Sequence, residues 1–259
     1  MRIKTYLLIL GLSFLMLGGC AAKPTDSEEL KVYEANNDPL EPMNRVIFGF
    51  NQGVDKFLLK PAAKGYKAVT PEPAQRGVYN FFDNMRQPLY AVNAGLQGEG
   101  QRFGTISKRF FMNTFFGFFG FRDTASEENV PFYSNDFGQT LYVWGIKDGG
   151  PYLVVPFFGP SNFRDGLGLL GDGFLNPIDW AFWHEPLLLY GRPAAGGVVR
   201  RAHAMDFLDS LENSSTDFYA TVRTMTQQNR RKELGESDGI DDNGKADYEF
   251  EFETDDEED

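Results

Sequence analysis

Cysteine, histidine and long apolar runs are what this 259-residue chain has least of. The single cysteine, Cys20, excludes a disulfide within the chain. Two histidines, His184 and His203, stand nineteen positions apart and offer no pair at metal-ligand spacing, so both read as surface or satisfied core residues. No G-x-S-x-G nucleophile elbow and no Gly-rich phosphate loop is present. A lipid hydrolase working through scattered Asp and Ser is the weaker alternative; the expectation is no enzyme, no cofactor and no metal. A basic stripe is also missing, which argues against nucleic acid as a partner.

Phenylalanine is abundant instead, at 25 copies, alongside 28 Gly and 14 Pro. That mixture predicts many short helices interrupted by turns and packed with aromatic rings. Charge is distributed unevenly. Residues 233–259 hold 14 of the 37 acidic residues and one of the 25 basic ones, a net −13, so everything before them sums to +1. The acidic balance belongs to a tail that reads as solvated and disordered, and not to the folded body. Within it, residues 239–250 resemble a calcium loop but place Gly and Phe at the first and twelfth positions, where ligands are required.

The chain opens as an export signal. Arg2 and Lys4 precede the apolar run from residue 6 to 17, too short to cross about 30 Å of hydrocarbon comfortably. Leu17-Gly18-Gly19-Cys20 resembles a bacterial lipobox, which makes residues 1–19 a signal peptide and Cys20 the acylated N-terminus. Ala21, where an Asp would retain the protein, directs it by the same resemblance to the outer membrane. Several acyl chains at about 0.8 kcal/mol per buried CH₂ anchor firmly. Residues 20–37 then form a tether, and 38–232 the helical body.

That body begins with DPLEPMNRVIFGFNQGVDKFLL, residues 38–59. Asp38 and Glu41 suggest a capped start, and Leu40, Met43, Ile47, Phe50, Val54 and Phe57 form a stripe at helical spacing that Pro61 should end. The same residues, with the Asn44-Arg45 and Phe50-Asn51 pairs, resemble the opening signature of the VacJ/MlaA family of outer-membrane lipoproteins, and the similarity extends over about residues 36–230. The resemblance implies removal of mislocalised phospholipid from the outer leaflet, delivery to a soluble periplasmic carrier, and a trimeric porin as partner. It also implies that GPSNFRDG, residues 159–166, lies by a lipid-conducting opening.

Further along, helices are predicted over residues 71–85 and 88–96, with Val78, Phe81, Phe82, Leu89, Val92 and Leu96 as core. Residues 110–121, FFMNTFFGFFGF, surround a helix with apolar surface through Phe110, Phe111, Phe115, Phe116, Phe118 and Phe119. Twelve helical residues rise about 18 Å, which suits one leaflet, and Lys108 and Arg109 are placed to reach headgroups. A short helix is expected at 136–144, then a turn with Gly145, Gly149 and Gly150. Residues 152–158 read as an extended or re-entrant segment, because prolines bracket them. Ser161 is a possible cap before Arg164 and Asp165. In residues 163–190 half the positions are Phe, Leu, Ile, Trp or Tyr, split at Asn176-Pro177, with Trp180 and Trp183 of the type that settles at a membrane interface. One amphipathic helix past Pro193 and another from Ser214 or Ser215 complete the body.

Two functional classes follow. The first is a lipid translocator, all-α, a ring or wedge of short amphipathic helices seated in one leaflet around an amphipathic channel. In it Arg164 and Asp165 ease headgroup transit, Gly145, Gly149 and Gly150 let a lip move, and Phe50 and Asn51 belong to the channel or lip. The second is an anchored structural or adaptor lipoprotein without lipid transfer.

Overall fold

The computed structural model describes residues 38–235. The signal peptide, Cys20, the tether up to residue 37, the tail from residue 236 and the calcium-like stretch lie outside the described residues. Twelve helices and one two-stranded hairpin make up the described part, so the mostly helical class holds, with a small sheet added.

The first helix, α1 (Glu41–Val54), departs from expectation at both ends. Asp38 does not cap it; only its carbonyl receives Glu41 N–H, at 3.2 Å. The Asp38 carboxylate instead accepts from Asn44, at 2.8 Å, Arg223, at 3.1 Å, and the Tyr219 hydroxyl. Pro61 does not end the helix either. A π-turn over Asp55–Leu59, in which Lys60 N–H donates to Asp55 carbonyl, leads directly into α2 (Lys60–Val69). Proline has no N–H for the carbonyl four residues back, and the wider turn passes the chain across that gap.

The stripe read from spacing is not the buried one. Met43, Phe50 and Phe57 are exposed, while Asn44 and Phe48 are buried. Asn44 and Asn51, seven apart and so two turns along one face, hold the strand β1 (Tyr152–Val155). Asn44 donates to Tyr152 carbonyl at 3.0 Å and accepts from Val154 N–H at 2.9 Å; Asn51 does the same to Val155 carbonyl and Phe157 N–H at 3.1 and 2.8 Å. The other edge of β1 pairs antiparallel with β2 (Gly159–Asn162), Tyr152 opposite Asn162 and Val155 opposite Gly159. Both edges of β1 thus have partners. The segment is extended, as expected, but folds as a hairpin and not as a re-entrant loop.

Next come α3 (Glu72–Asn84), α4 (Gln87–Leu96) and α5 (Gly100–Phe115), each of the first two opened by a proline in its first turn. Small residues let α4 and α5 approach closely, with Ala91, Ala94 and Ile106 buried between them. The helix expected over residues 110–121 ends at Phe115. Phe118 and Phe119 then take left-handed backbone, with φ of 52° and 60°, and the chain folds back. Gly117 and Gly120 lie beneath that turn: a Cβ would meet Arg122 carbonyl at 2.1 Å and Asn84 at 2.6 Å, respectively. Phe111, Phe115, Phe116, Phe118 and Phe119 stand outward, and Phe110 is half-buried. Arg109 does not reach outward; it is buried against Asp123, Ser126 and Val130 carbonyl.

The short helices α6 (Thr124–Glu127) and α7 (Phe137–Val143) follow, the latter opened by a capping box of Asp136 and Gln139. After the hairpin, α8 (Phe163–Leu175) is capped by Asn162, not Ser161, and α9 (Pro177–Ala181) by Asn176. Helix α10 (Pro186–His203) runs through Pro193, which was expected to precede it, and breaks at Ala204 before α11 (Met205–Ser214). Asp217, not Ser214 or Ser215, caps α12 (Phe218–Glu233). No helix among the described residues is long and apolar enough to cross a membrane.

The core is divided and thin. Three small clusters are centred on Phe48 with Tyr152 and Tyr219, on Tyr90 with Ile106, and on Ala63 with Met205. Exposed large hydrophobic side chains outnumber buried hydrophobic residues more than two to one among the described residues, whereas Asn44, Asn84, Gln87, Asn93, Asn113 and Asn135 are all buried. A water-soluble fold of this size reverses that distribution.

Candidate functional site

The N-terminus of α8 carries the densest polar chemistry. Asn162 accepts from Asp165 N–H at 2.8 Å, which turns the Asp165 carboxylate towards α12. There Arg230 donates to both Asp165 oxygens at 2.8 Å and to both Asp136 oxygens at 2.7 and 2.8 Å. One guanidinium therefore joins α12 to α7 and α8 through two paired carboxylates. Arg164, only 3% exposed, donates to Asp165 at 2.9 Å and to Lys147 carbonyl at 3.2 Å, fastening the loop that precedes β1. Gly138 is required beside this cluster, because a Cβ there would lie 2.4 Å from Asp165 and 2.7 Å from Arg230.

The cluster borders a cavity of about 650 Å³ between α8, α12, the hairpin and the loop at 147–150. Arg164, Asp165, Gly149 and Gly150 all line it, with Asp136, Asp172, Arg86 and Arg230, while Leu169 and Phe158 give it an apolar side. Gly150 has φ of 70°, and a Gly149 Cβ would stand 3.0 Å from Asn162. Gly145, with φ of 110°, lies in the same loop but does not line the cavity. Phe50 and Asn51 sit at the hairpin tip, where the Phe50 and Phe157 rings meet edge to face at 5.2 Å. Trp180, in α9, and Trp183, just past its end, are exposed.

Two carboxyls of the cavity are tuned in opposite directions. Burial pushes Asp165 up, but hydrogen bonds from Arg230 and Arg164 outweigh it and hold the carboxyl below its ordinary range. Asp172, which accepts from Asn93 at 2.9 Å and Phe137 N–H at 3.0 Å, is pushed up to about 6 chiefly by burial. A raised folded-state pKa means stability is fully present below the unfolded value and is lost as pH rises through about 6. Asp172→Asn, which keeps the accepting oxygen, is therefore expected to stabilise the protein by about 1–2 kcal/mol at pH 8 and to change little at pH 4; thermal melts across that range check it.

Sequence reasoning missed Arg230, Asp136 and Asp172, and read Asn44 only as part of the opening signature. A signal existed for some of them: Arg223 and Arg230, like Asn44 and Asn51, are polar pairs seven apart on one helical face.

A mostly helical body with amides and ion pairs inside, aromatics outside and a half-polar cavity defines a class of protein whose polarity is inverted relative to a water-soluble fold. The family model described as MlaA lipoprotein matches residues 36–233, and the chain belongs to that family. It is 34% identical over 227 residues to "Intermembrane phospholipid transport system lipoprotein MlaA" of Escherichia coli (strain K12), covering 86% of this chain and 85% of that one. The protein of the same name from Haemophilus influenzae is 32% identical, with coverage of 88% and 90%. A solved chain from work on the "Structural basis for maintenance of bacterial outer membrane lipid asymmetry" superposes with a TM-score of 0.63 at 33% identity, over 76% of this chain and 98% of that one.

Proposed function

We propose that this protein removes mislocalised phospholipid from the outer leaflet of the outer membrane of a Gram-negative bacterium and passes it towards the periplasm, maintaining lipid asymmetry. The observation that carries the reading is the inverted polarity: an outward apolar surface beside a cavity lined by Arg164, Asp165, Asp172 and Arg230. Acylated at Cys20, the body sits in the inner leaflet as a ring or wedge of short helices. Phe111, Phe115, Phe116, Phe118, Phe119, Trp180 and Trp183 contact hydrocarbon and interface, with Phe110 behind them. The headgroup passes along the ion-paired wall, where charges already compensated do not trap it, and the acyl chains follow Phe158 and Leu169. The loop bearing Gly145, Gly149 and Gly150, with the hairpin tip held by Phe50 and Asn51, forms the lip. No bond is made or broken, so no catalytic residue is needed. Depth sets direction: an opening reachable only from the outer leaflet extracts only lipid that is out of place. A trimeric porin holds the body at that depth, and a soluble periplasmic carrier receives the lipid.

Lipid content tests this. The mature protein, purified in mild detergent and extracted, is expected to carry phospholipid in stoichiometric amount by mass spectrometry and to release it to a periplasmic carrier. A protein that binds and transfers none is an anchored adaptor.

A further inference from the structure

The lining of the cavity narrows the headgroup it can take, an inference that rests on the transport reading. Five basic and five acidic side chains line it, so the lining as a whole favours neither an anion nor a cation. Several of those charges already neutralise one another: Arg230 meets Asp136, Asp165 and Glu233, and Arg164 meets Asp165. Asp172 and Arg86 do not. Neither has an ion pair within 4.0 Å among the described residues.

Asp172, half-buried on α8, takes both of its hydrogen bonds on Oδ1, from Asn93 at 2.9 Å and from Phe137 N–H at 3.0 Å. Its Oδ2 has no hydrogen-bond partner among the described residues. A carboxylate that is partly desolvated and has one oxygen unused is stabilised by a cation with N–H groups to donate. Arg86, exposed at the link between α3 and α4, makes no side-chain hydrogen bond among the described residues and keeps its guanidinium 5.1 Å from the centre of the Tyr90 ring. Helix α4 fixes how far apart the two charges stand. Arg86 is its N-cap residue, and Asn93, which holds Asp172, follows seven residues later, two turns along the same face and about 10 Å at 1.5 Å per residue. The opposite charges are therefore held apart on one wall, as the phosphate and the amine of a zwitterionic headgroup are, and do not collapse into a pair.

We propose that the cavity selects a zwitterionic glycerophospholipid with a primary ammonium, of the phosphatidylethanolamine type, by accepting the ammonium at Asp172 Oδ2 and donating to the phosphodiester from Arg86. The ammonium brings the cation and the N–H donor that Oδ2 lacks, and a guanidinium fork matches phosphate oxygens in geometry. Leu169, three residues before Asp172 on α8, also lines the cavity and gives the acyl chains an apolar neighbour beside the headgroup. An anionic headgroup without an amine leaves Asp172 without a cation and adds an uncompensated charge to a balanced lining. A trimethylated amine keeps the positive charge but has no N–H to donate.

The test titrates delipidated full-length mature protein in detergent, at pH 7.5, with phosphatidylethanolamine, phosphatidylcholine and phosphatidylglycerol of matched chains, and with glycerophosphoethanolamine as the probe without chains. The parent protein is expected to bind phosphatidylethanolamine about tenfold more tightly than either other lipid. Asp172→Asn keeps the oxygen that accepts from Asn93 and Phe137 N–H; it is expected to raise the phosphatidylethanolamine Kd about tenfold and to leave that of phosphatidylglycerol unchanged, which also shows that the variant is folded. Arg86→Gln is expected to weaken both lipids about equally, and Arg86→Lys to recover part of the loss. Equal affinity of the parent for phosphatidylethanolamine and phosphatidylglycerol, or an Asp172→Asn loss shared by both, overturns the ammonium site while leaving the transport reading intact. Phosphatidylcholine binding as tightly as phosphatidylethanolamine overturns the primary-ammonium assignment, and unchanged binding in Arg86→Gln overturns the phosphate assignment. Glycerophosphoethanolamine binding as tightly as the lipid overturns the lipid assignment. A parent protein that binds none of the three lipids overturns the transport reading and the headgroup site with it.

Discussion

Arg230→Met is expected to lower the thermal midpoint of the detergent-solubilised protein by about 10 °C at pH 7. Arg230 is largely buried and satisfies Asp136 and Asp165 together, so its removal leaves Asp136 without a cation and Asp165 with Arg164 alone. Breaking a buried pair from one side costs about 3–5 kcal/mol, and a chain of this size loses about 2–4 °C per kcal/mol. The effect should depend on pH. The Asp165 carboxyl is held below its ordinary range in the intact protein, so its stabilisation is present above the unfolded value of about 3.9 and is lost as pH falls through the folded one. Without Arg230 only Arg164 opposes the burial of Asp165, so its carboxyl moves up and protonation relieves it earlier. The gap between variant and parent is therefore larger at pH 7 than at pH 4. Arg230→Lys keeps the charge but not the double fork and falls between. Melts followed by circular dichroism decide it: a fall under about 3 °C, or one independent of pH, means that the three groups do not act as a unit.

The parts of this fold that could be read from sequence are those set by local chemistry. Pro88 near the start of α4, the split at Asn176-Pro177 and the short helix after Asp136 depend on one or two residues and their own backbone. Pro61 and Pro193 misled because a proline only removes one donor; whether the helix stops depends on whether its neighbours absorb the gap, as the π-turn at Asp55–Leu59 does for Pro61. The stripe of α1 misled for a deeper reason. Periodicity finds the apolar face, and reading it as the buried face assumes water outside; here Phe50 and Phe57 are exposed while Asn44 is buried. Arg164 and Asp165 were legible as a polar pair at a helix start, and the structure puts them at the cavity. Arg230, the partner of Asp165 sixty-five positions later, is brought there by tertiary packing alone.

Phe115→Asp combined with Phe118→Asp is expected to abolish bilayer association of the non-acylated Cys20→Ser protein while leaving its fold in detergent intact. The two rings are 73% and 75% exposed, so removing them opens no cavity. Phe118 already has φ of 52°, a region that Asp tolerates better than most residues, so the turn gains no strain. Each ring withdrawn from hydrocarbon forfeits about 1.5–3 kcal/mol before the cost of the new charge, and two together reduce partition by at least about a hundredfold. Vesicle flotation gives that number, and the midpoint in detergent, expected to move by no more than a few degrees, shows that the fold is unchanged. In the acylated double variant the anchor still holds the protein on the membrane, so the two readings part there: lipid transfer is lost if the aromatic turn seats the opening in the leaflet, and flotation without lost transfer assigns these rings to a protein contact. Unchanged flotation of the non-acylated variant removes the membrane seat from this turn altogether, leaving Trp180, Trp183 and the exposed end of α10 as the surface that must carry it.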